Sequence, residues 1–213
     1  MESTELGLRR RGSQARGRVT REKLLDSAEL LFTRNGYDGT SMGDVARRAG
    51  CGVGTLYHHF ADKRALLFEL IERFGDRMAS HRRTDIDFAA FLGDDPRRAI
   101  ATFLERVFDR LRKRPSLYLV VLALSARDEE VRRRYQRVEQ IAIERLAALI
   151  EFGQRQSLMR ADIDPQAAAF LIHHSLDMAM VQLLLREQTG PAPERVLAEL
   201  TELFSRYVQK EPP

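Results

Sequence analysis

The sequence predicts an all-α chain of about nine helices, an N-terminal three-helix unit containing a helix-turn-helix followed by a helical C-terminal domain. Three observations carry this. Apolar residues recur at three- and four-residue spacing along most of the 213 residues. The good helix formers Ala, Leu, Arg and Glu dominate. The 13 Gly and 7 Pro fall largely at the ends of the apolar-periodic segments. With 44% hydrophobic and 31% charged residues the composition is that of a chain able to bury a core.

The elements follow in order. Residues 1–18 mix Gly, Ser, Gln and Arg without an apolar period and read as a flexible basic arm. Thr20 is the expected cap of a first helix, with Leu24, Leu25, Ala28, Leu31 and Phe32 on one face and Asn35-Gly36 as its stop. Ser41 and Asp44 have capping-box spacing and open a short second helix, with Met42, Val45, Ala46 and Ala49 inward. Gly50 breaks it, a third short helix carries Thr55, Leu56, Tyr57 and Phe60, and Asp62 caps a fourth through Leu66, Leu67, Leu70, Ile71 and Phe74. The period weakens over 76–94. Asp95-Pro96 pairs a cap with a proline at the first helical position and starts a fifth helix, stopped at Pro115. The apolar run Leu117–Leu124 suits a buried strand by composition, but no other strand is there to pair with it, so it is read as a buried helix. A long helix spans about 128–156. Asp164-Pro165 repeats the start signal for a helix to about Gln188, and Gly190-Pro191-Ala192-Pro193 turns into a last helix holding Val196, Leu200, Leu203, Phe204 and Tyr207. The expected divisions are the arm 1–18, a helix-turn-helix domain 19–65 and a C-terminal domain 66–213.

Charge and composition restrict function. The net charge is +4, and residues 1–64 hold 12 Lys+Arg against 8 Asp+Glu while the remainder balances at 23 of each. A polyanion partner and a solubilising tail fit that surplus equally well. No apolar run nears the ~20 residues needed to span a bilayer. The N-terminus lacks the pattern of a secretory signal, and the single Cys51 forms no internal disulfide, so a cytoplasmic chain without a membrane partner is expected. No GxSxG, HExxH, Walker loop or plausible triad is present, so no enzyme, cofactor or metal is expected.

Two short helices joined by a glycine turn make a helix-turn-helix, with small Ala46 and Ala49 where the helices cross and Gly50 at the reversal. The second helix opens with Gly52, Val53, Gly54, Thr55, Tyr57 and His58, small and polar side chains suited to base edges and phosphates. The stretch GYDGTSMGDVARRAGCGVGTLYHHFADKRALL resembles the signature of TetR-family repressors, matching at Gly36, Thr40, Ser41, Val45, Ala46, Ala49, Gly50, Gly54, Thr55, Leu56, Tyr57, His59, Phe60, Lys63 and Leu66. The resemblance is strong over about residues 20–70. Cys51 departs from a usual valine, and Gly52 from a serine that caps the recognition helix.

The resemblance implies that Thr40, Ser41, Tyr57, His58 and Lys63 hold phosphates, that Val53, Gly54 and Thr55 face bases, and that Arg16 and Arg18 track the adjacent backbone or minor groove. It also implies a homodimer built on the last two helices, with Val181, Leu184, Leu200, Leu203 and Phe204 as interface candidates beside Phe170 and Met178. Phe103, Leu122, Phe170, His174 and Met178 are candidates for a pocket taking a small hydrophobic effector. His173, His174 and Asp177 stand three and four residues apart, where a hydrogen bond along the helix is the plainer reading and ligand or metal binding the other. The expected function is a homodimeric repressor released from a palindromic double-stranded DNA operator by that effector. The alternatives are a transcriptional activator and a DNA-binding protein without a small-molecule inducer.

Overall fold

The computed structural model describes residues 2–85, 96–113, 116–185 and 190–209. Among these are nine helices, α1 (Glu2–Asn35), α2 (Met42–Ala49), α3 (Val53–His59), α4 (Lys63–Asp85), α5 (Pro96–Lys113), α6 (Ser116–Ser125), α7 (Glu129–Arg155), α8 (Pro165–Leu185) and α9 (Pro193–Val208). The described residues hold no strand beyond an isolated antiparallel bridge of Met159 with Gln209. Aspartates cap three helices, at Asp62 and Asp164 as the sequence leads one to expect and at Asp128 in addition. Asp62 accepts from the Ala65 amide, Asp164 from the Ala167 amide, and Asp128 from the amides of Glu130 and Val131. Asp95 and the expected loop before it lie outside the described residues.

The chain divides into two compact units, Met1–Arg73 with Ser116–Arg134, and Phe74–Pro115 with Tyr135–Pro213. In the first, α1 buries Leu24, Leu25, Ala28 and Phe32, and packs against α2 and α6. Val45, Ala46, Leu56, Leu66, Leu67, Leu70 and Ile71 complete the buried set from α2, α3 and α4. The Leu117–Leu124 run is helical, with Leu117, Tyr118, Val121 and Leu124 buried. Residues 116–134 therefore belong with the helix-turn-helix, although the sequence reading put them in the C-terminal domain.

Residues 2–18 differ from expectation. They are the first half of α1 rather than an irregular arm, and the helix runs through Thr20 without a cap there. No proline interrupts this stretch, and its Glu, Leu, Arg, Gln and Ala residues let a helix nucleated below it propagate one backbone bond at a time. An apolar period is a signal of which face a helix buries, which is a different property from whether the helix forms.

The second unit has two apolar clusters. One joins Ile143, Ala147, Ile150, Met159, Ala168, Ala169 and Val208. The other joins Leu104, Phe108, Leu176, Met180, Leu197, Leu200 and Phe204, where α9 lies along α5 and touches α8. This corrects three interface expectations. Val181, Leu200 and Phe204 are buried within the single chain, so their side chains are already used. Leu203, on the opposite face of α9, is exposed. The Leu184 side chain lies outside the described residues.

Candidate nucleic-acid interface

The site is built from the α2–α3 turn. Ser41 has the extended backbone of an N-cap, its hydroxyl accepting from the Asp44 amide at 3.1 Å while the Asp44 carboxylate accepts from the Ser41 amide at 3.1 Å. The Ser41 hydroxyl also donates to Asp44 at 2.6 Å, and these bonds from Ser41, helped by Arg47, hold the Asp44 carboxyl below its ordinary value. At the other end Gly50 takes φ +70°, and the Gly50 and Cys51 amides turn back onto the last carbonyls of α2. That left-handed residue is what reverses the chain within three residues and lets α3 start at Val53.

Gly52 is the N-cap of α3 and offers no side-chain bond to its free amides. Leu56 alone of the α3 side chains is buried, and it anchors the helix to the core. Gly52, Val53, Gly54, Thr55, Tyr57 and His58 are all exposed, Val53 at 44% and Tyr57 at 52%. A short helix is therefore held by one leucine, with the whole opposite face presented to solvent. The small residues at 52–55 leave its N-terminal turn open to close approach. His59 is half-buried, and burial, with the neighbouring His58 and Arg21, pushes its imidazole below the ordinary value.

Other expected contacts are engaged inside the chain. Thr40 is only 2% exposed, and its hydroxyl donates to the Gly36 carbonyl at 2.9 Å. It closes the turn after α1, which corrects the expectation that its side chain meets phosphate. Lys63 donates to the Tyr37 and Thr40 carbonyls at 2.8 and 2.9 Å, and lies 4.4 Å from the Tyr37 ring centroid. Two of its three donors are thereby spent on holding the α1–α2 loop. Arg21, part of the basic surplus, forms a two-pronged pair with Glu69 of α4 and covers the Phe60 ring at 5.0 Å. Arg73 reaches back from α4 to Asp26 at 2.5 Å. These pairs clamp α1 to α4 and fix the frame from which α3 projects. The sequence shows such residues as charges without naming their partners. Arg18 is exposed, and the Arg16 side chain lies outside the described residues.

The effector candidates separate. Phe103 lines an apolar cavity of about 60 Å³ in the second unit, with Ile100, Leu146, Ile150, Met159 and Phe204 among its walls. Leu122 belongs to the first unit, and Phe170 and Met178 stand exposed on the outer face of α8, so these three do not line it. His174 lies outside the cavity as well, its ring edge-on to Phe170 at 4.3 Å. A larger, open groove of about 630 Å³ runs between α5 and α9, with Arg97, Arg98, Glu105 and Asp109 among its walls. No helix among the described residues is long and apolar enough to cross a membrane.

Residues 24–70, from α1 into α4, match the description "Bacterial regulatory proteins, tetR family". The HTH-type transcriptional regulator UidR of Escherichia coli (strain K12) is 32% identical over 79 residues, which are 37% of this chain and 40% of UidR. The chain thus matches less than half the length of that relative. The HTH-type transcriptional regulator EthR of Mycolicibacterium smegmatis is 26% identical over 195 residues, 92% of this chain and 88% of EthR. Among solved structures, a TetR transcriptional regulator from Chloroflexus aurantiacus J-10-FL superposes with a TM-score of 0.74 at 23% identity, over 92% of this chain and 100% of that one. The regulator FadR from Bacillus subtilis, solved in complex with stearoyl-CoA, gives 0.71 at 18% identity over 86% and 96%. Both likenesses concern the all-helical fold.

Proposed function

We propose that the chain is a TetR-family regulator, as the match over residues 24–70 and the likeness to EthR support, and that it is a cytoplasmic, non-enzymatic homodimeric repressor that reads a palindromic operator and leaves it when a small hydrophobic molecule binds. The observation that carries this reading is the outer face of α3, exposed from Gly52 through Thr55 and again at Tyr57 and His58, on a helix anchored by Leu56 alone. Val53, Gly54 and Thr55 would face base edges in a major groove, and Tyr57, His58 and Ser41 would position the backbone, with Arg18 along it. Lys63 has one donor left for a phosphate.

One helix-turn-helix makes too few contacts for useful specificity, and a dimer doubles them by reading two half-sites. Phe170, Leu171, Met178 and Leu185 of α8 and Leu203 of α9 are exposed apolar side chains, and they supply what a second copy would bury. On the effector side, FadR of Bacillus subtilis was solved with stearoyl-CoA. The cavity at Phe103 is about 60 Å³, well below the ~300 Å³ at which small-molecule pockets begin. An effector enters by enlarging it, and so acts by selecting an expanded conformation. α4 is one unbroken helix from Lys63 to Asp85 whose first turns carry the buried Leu66, Leu67 and Leu70 of the DNA-facing unit. Its displacement would change the spacing of two recognition helices.

The test is selection of bound duplexes from a random DNA pool with the purified chain. A palindromic consensus with half-sites about one helical turn apart is expected. Equal retention of random and selected duplex would overturn the reading.

A further inference from the structure

We propose that Glu139, His173 and His174 form a binding site for a divalent transition-metal ion of the zinc class, with Asp177 as its fourth ligand. Glu139 belongs to α7 and the other three to α8. One ligand atom from each of Glu139, His173 and His174 lies within 4.8 Å of the other two. That limit allows a single ion to be shared among the three. It is close to what a shared ion needs, because ligand atoms bonded at about 2.0–2.2 Å to a tetrahedral centre sit roughly 3.3–3.5 Å apart. His173 Nε2 also lies 3.4 Å from Asp177 Oδ2, so a second carboxylate borders the cluster on its His173 side.

The chemistry of the donors selects the ion. Two imidazoles with two carboxylates favour zinc and its neighbours, whereas magnesium and calcium take oxygen ligands. The surroundings favour it too. His173 is buried and Glu139 and His174 are half-buried, so bulk water competes little and the carboxylates gain a counter-charge. The Phe170 ring lies against His174 and restricts its orientation. An ion there would join α7 to α8 beside the exposed stripe of Phe170 and Met178.

The test uses the full chain stripped with EDTA, titrated with Zn²⁺ by calorimetry and with Co²⁺ by visible absorption. One ion per chain is expected, with the intense cobalt bands of a four-coordinate site. Glu139→Gln and His174→Gln should each weaken binding more than the 10–100-fold typical of outer-shell partners, while their metal-free helicity and melting establish that they fold. His58→Gln should leave stoichiometry and affinity unchanged, since His58 and His59 form an adjacent pair lacking the clustered carboxylate. No saturable uptake overturns the proposal, as does unchanged affinity in both the Glu139 and His174 variants, or displacement of Zn²⁺ by equimolar Mg²⁺.

Discussion

Gly52 occupies a position whose backbone is already that of a helix N-cap, at φ −70° and ψ 149°, and a Cβ added there meets nothing within 4 Å. A serine could adopt this backbone without strain and accept from the amides of Gly54 or Thr55. Gly52→Ser is expected to stabilise the chain by about 0.5–1 kcal/mol, part from the cap and part from the stiffer unfolded chain. Urea unfolding measures it, and a lower midpoint would show that glycine is needed for a conformation other than this one. At Thr55 and Tyr57 the same helix offers a functional contrast. If Tyr57 holds the DNA backbone as proposed, Tyr57→Phe removes that hydroxyl and should weaken binding to operator and random duplex alike, by about tenfold for a lost bond to a charged group. Thr55→Ala should instead change which base is preferred at one position per half-site, read by anisotropy on single-base operator variants. A uniform loss in both variants would remove the division between base-facing and phosphate-facing residues.

Between elements of the second unit, α4 and α7 approach closely at Gly75. A Cβ on Gly75 would lie 2.8 Å from Cγ2 of Val138 and 3.2 Å from its Cγ1. Valine in a helix has essentially one χ1 rotamer and cannot turn aside. Gly75→Ala therefore sets a helix-propensity gain of about 1 kcal/mol against an overpacking cost of about 1–3 kcal/mol, and should lower the melting temperature. With Val138→Ala present, the same change should stabilise by about 1 kcal/mol. A double-mutant cycle that keeps one sign in both backgrounds would mean the helices part easily. These contacts also separate what was legible in the sequence from what was not. Caps at Ser41, Asp62 and Asp164 and the Gly50 reversal depend on residues three or four apart, so the sequence displays them. The locks of Lys63 and Arg21 depend on partners as distant as Glu69, and Glu139 lies 34 residues before His173 with no spacing to link them. α8 misled for another reason. It is apolar on both sides, with Leu176, Met180 and Val181 inward and Phe170, Leu171 and Met178 outward, and a sequence cannot say which side its own subunit covers.

For the whole molecule, the two-sided character of α8 bears on assembly. Met178 and Leu203 are each 58% exposed in the single chain, an arrangement that isolated surface residues tolerate but a stripe of large side chains does so less readily. In a two-fold interface each substitution acts twice, so a glutamate at Met178 would bury two charges against apolar surface. Met178→Glu is expected to sediment as a monomer at micromolar concentration. Its own fold should change by no more than about 0.5 kcal/mol, because the side chain touches little of its own subunit. Operator affinity should then fall by 100-fold or more, as half of the base contacts are lost, while the weak, salt-sensitive attraction to random duplex persists. Val181→Ala supplies the opposite pattern. That side chain is buried within the subunit, so shortening it should cost about 1–3 kcal/mol of unfolding free energy and leave the folded fraction dimeric. If Met178→Glu stayed a dimer while Val181→Ala dissociated, the outward face of α8 would have no part in assembly, and the two recognition helices would have to be spaced by some other surface.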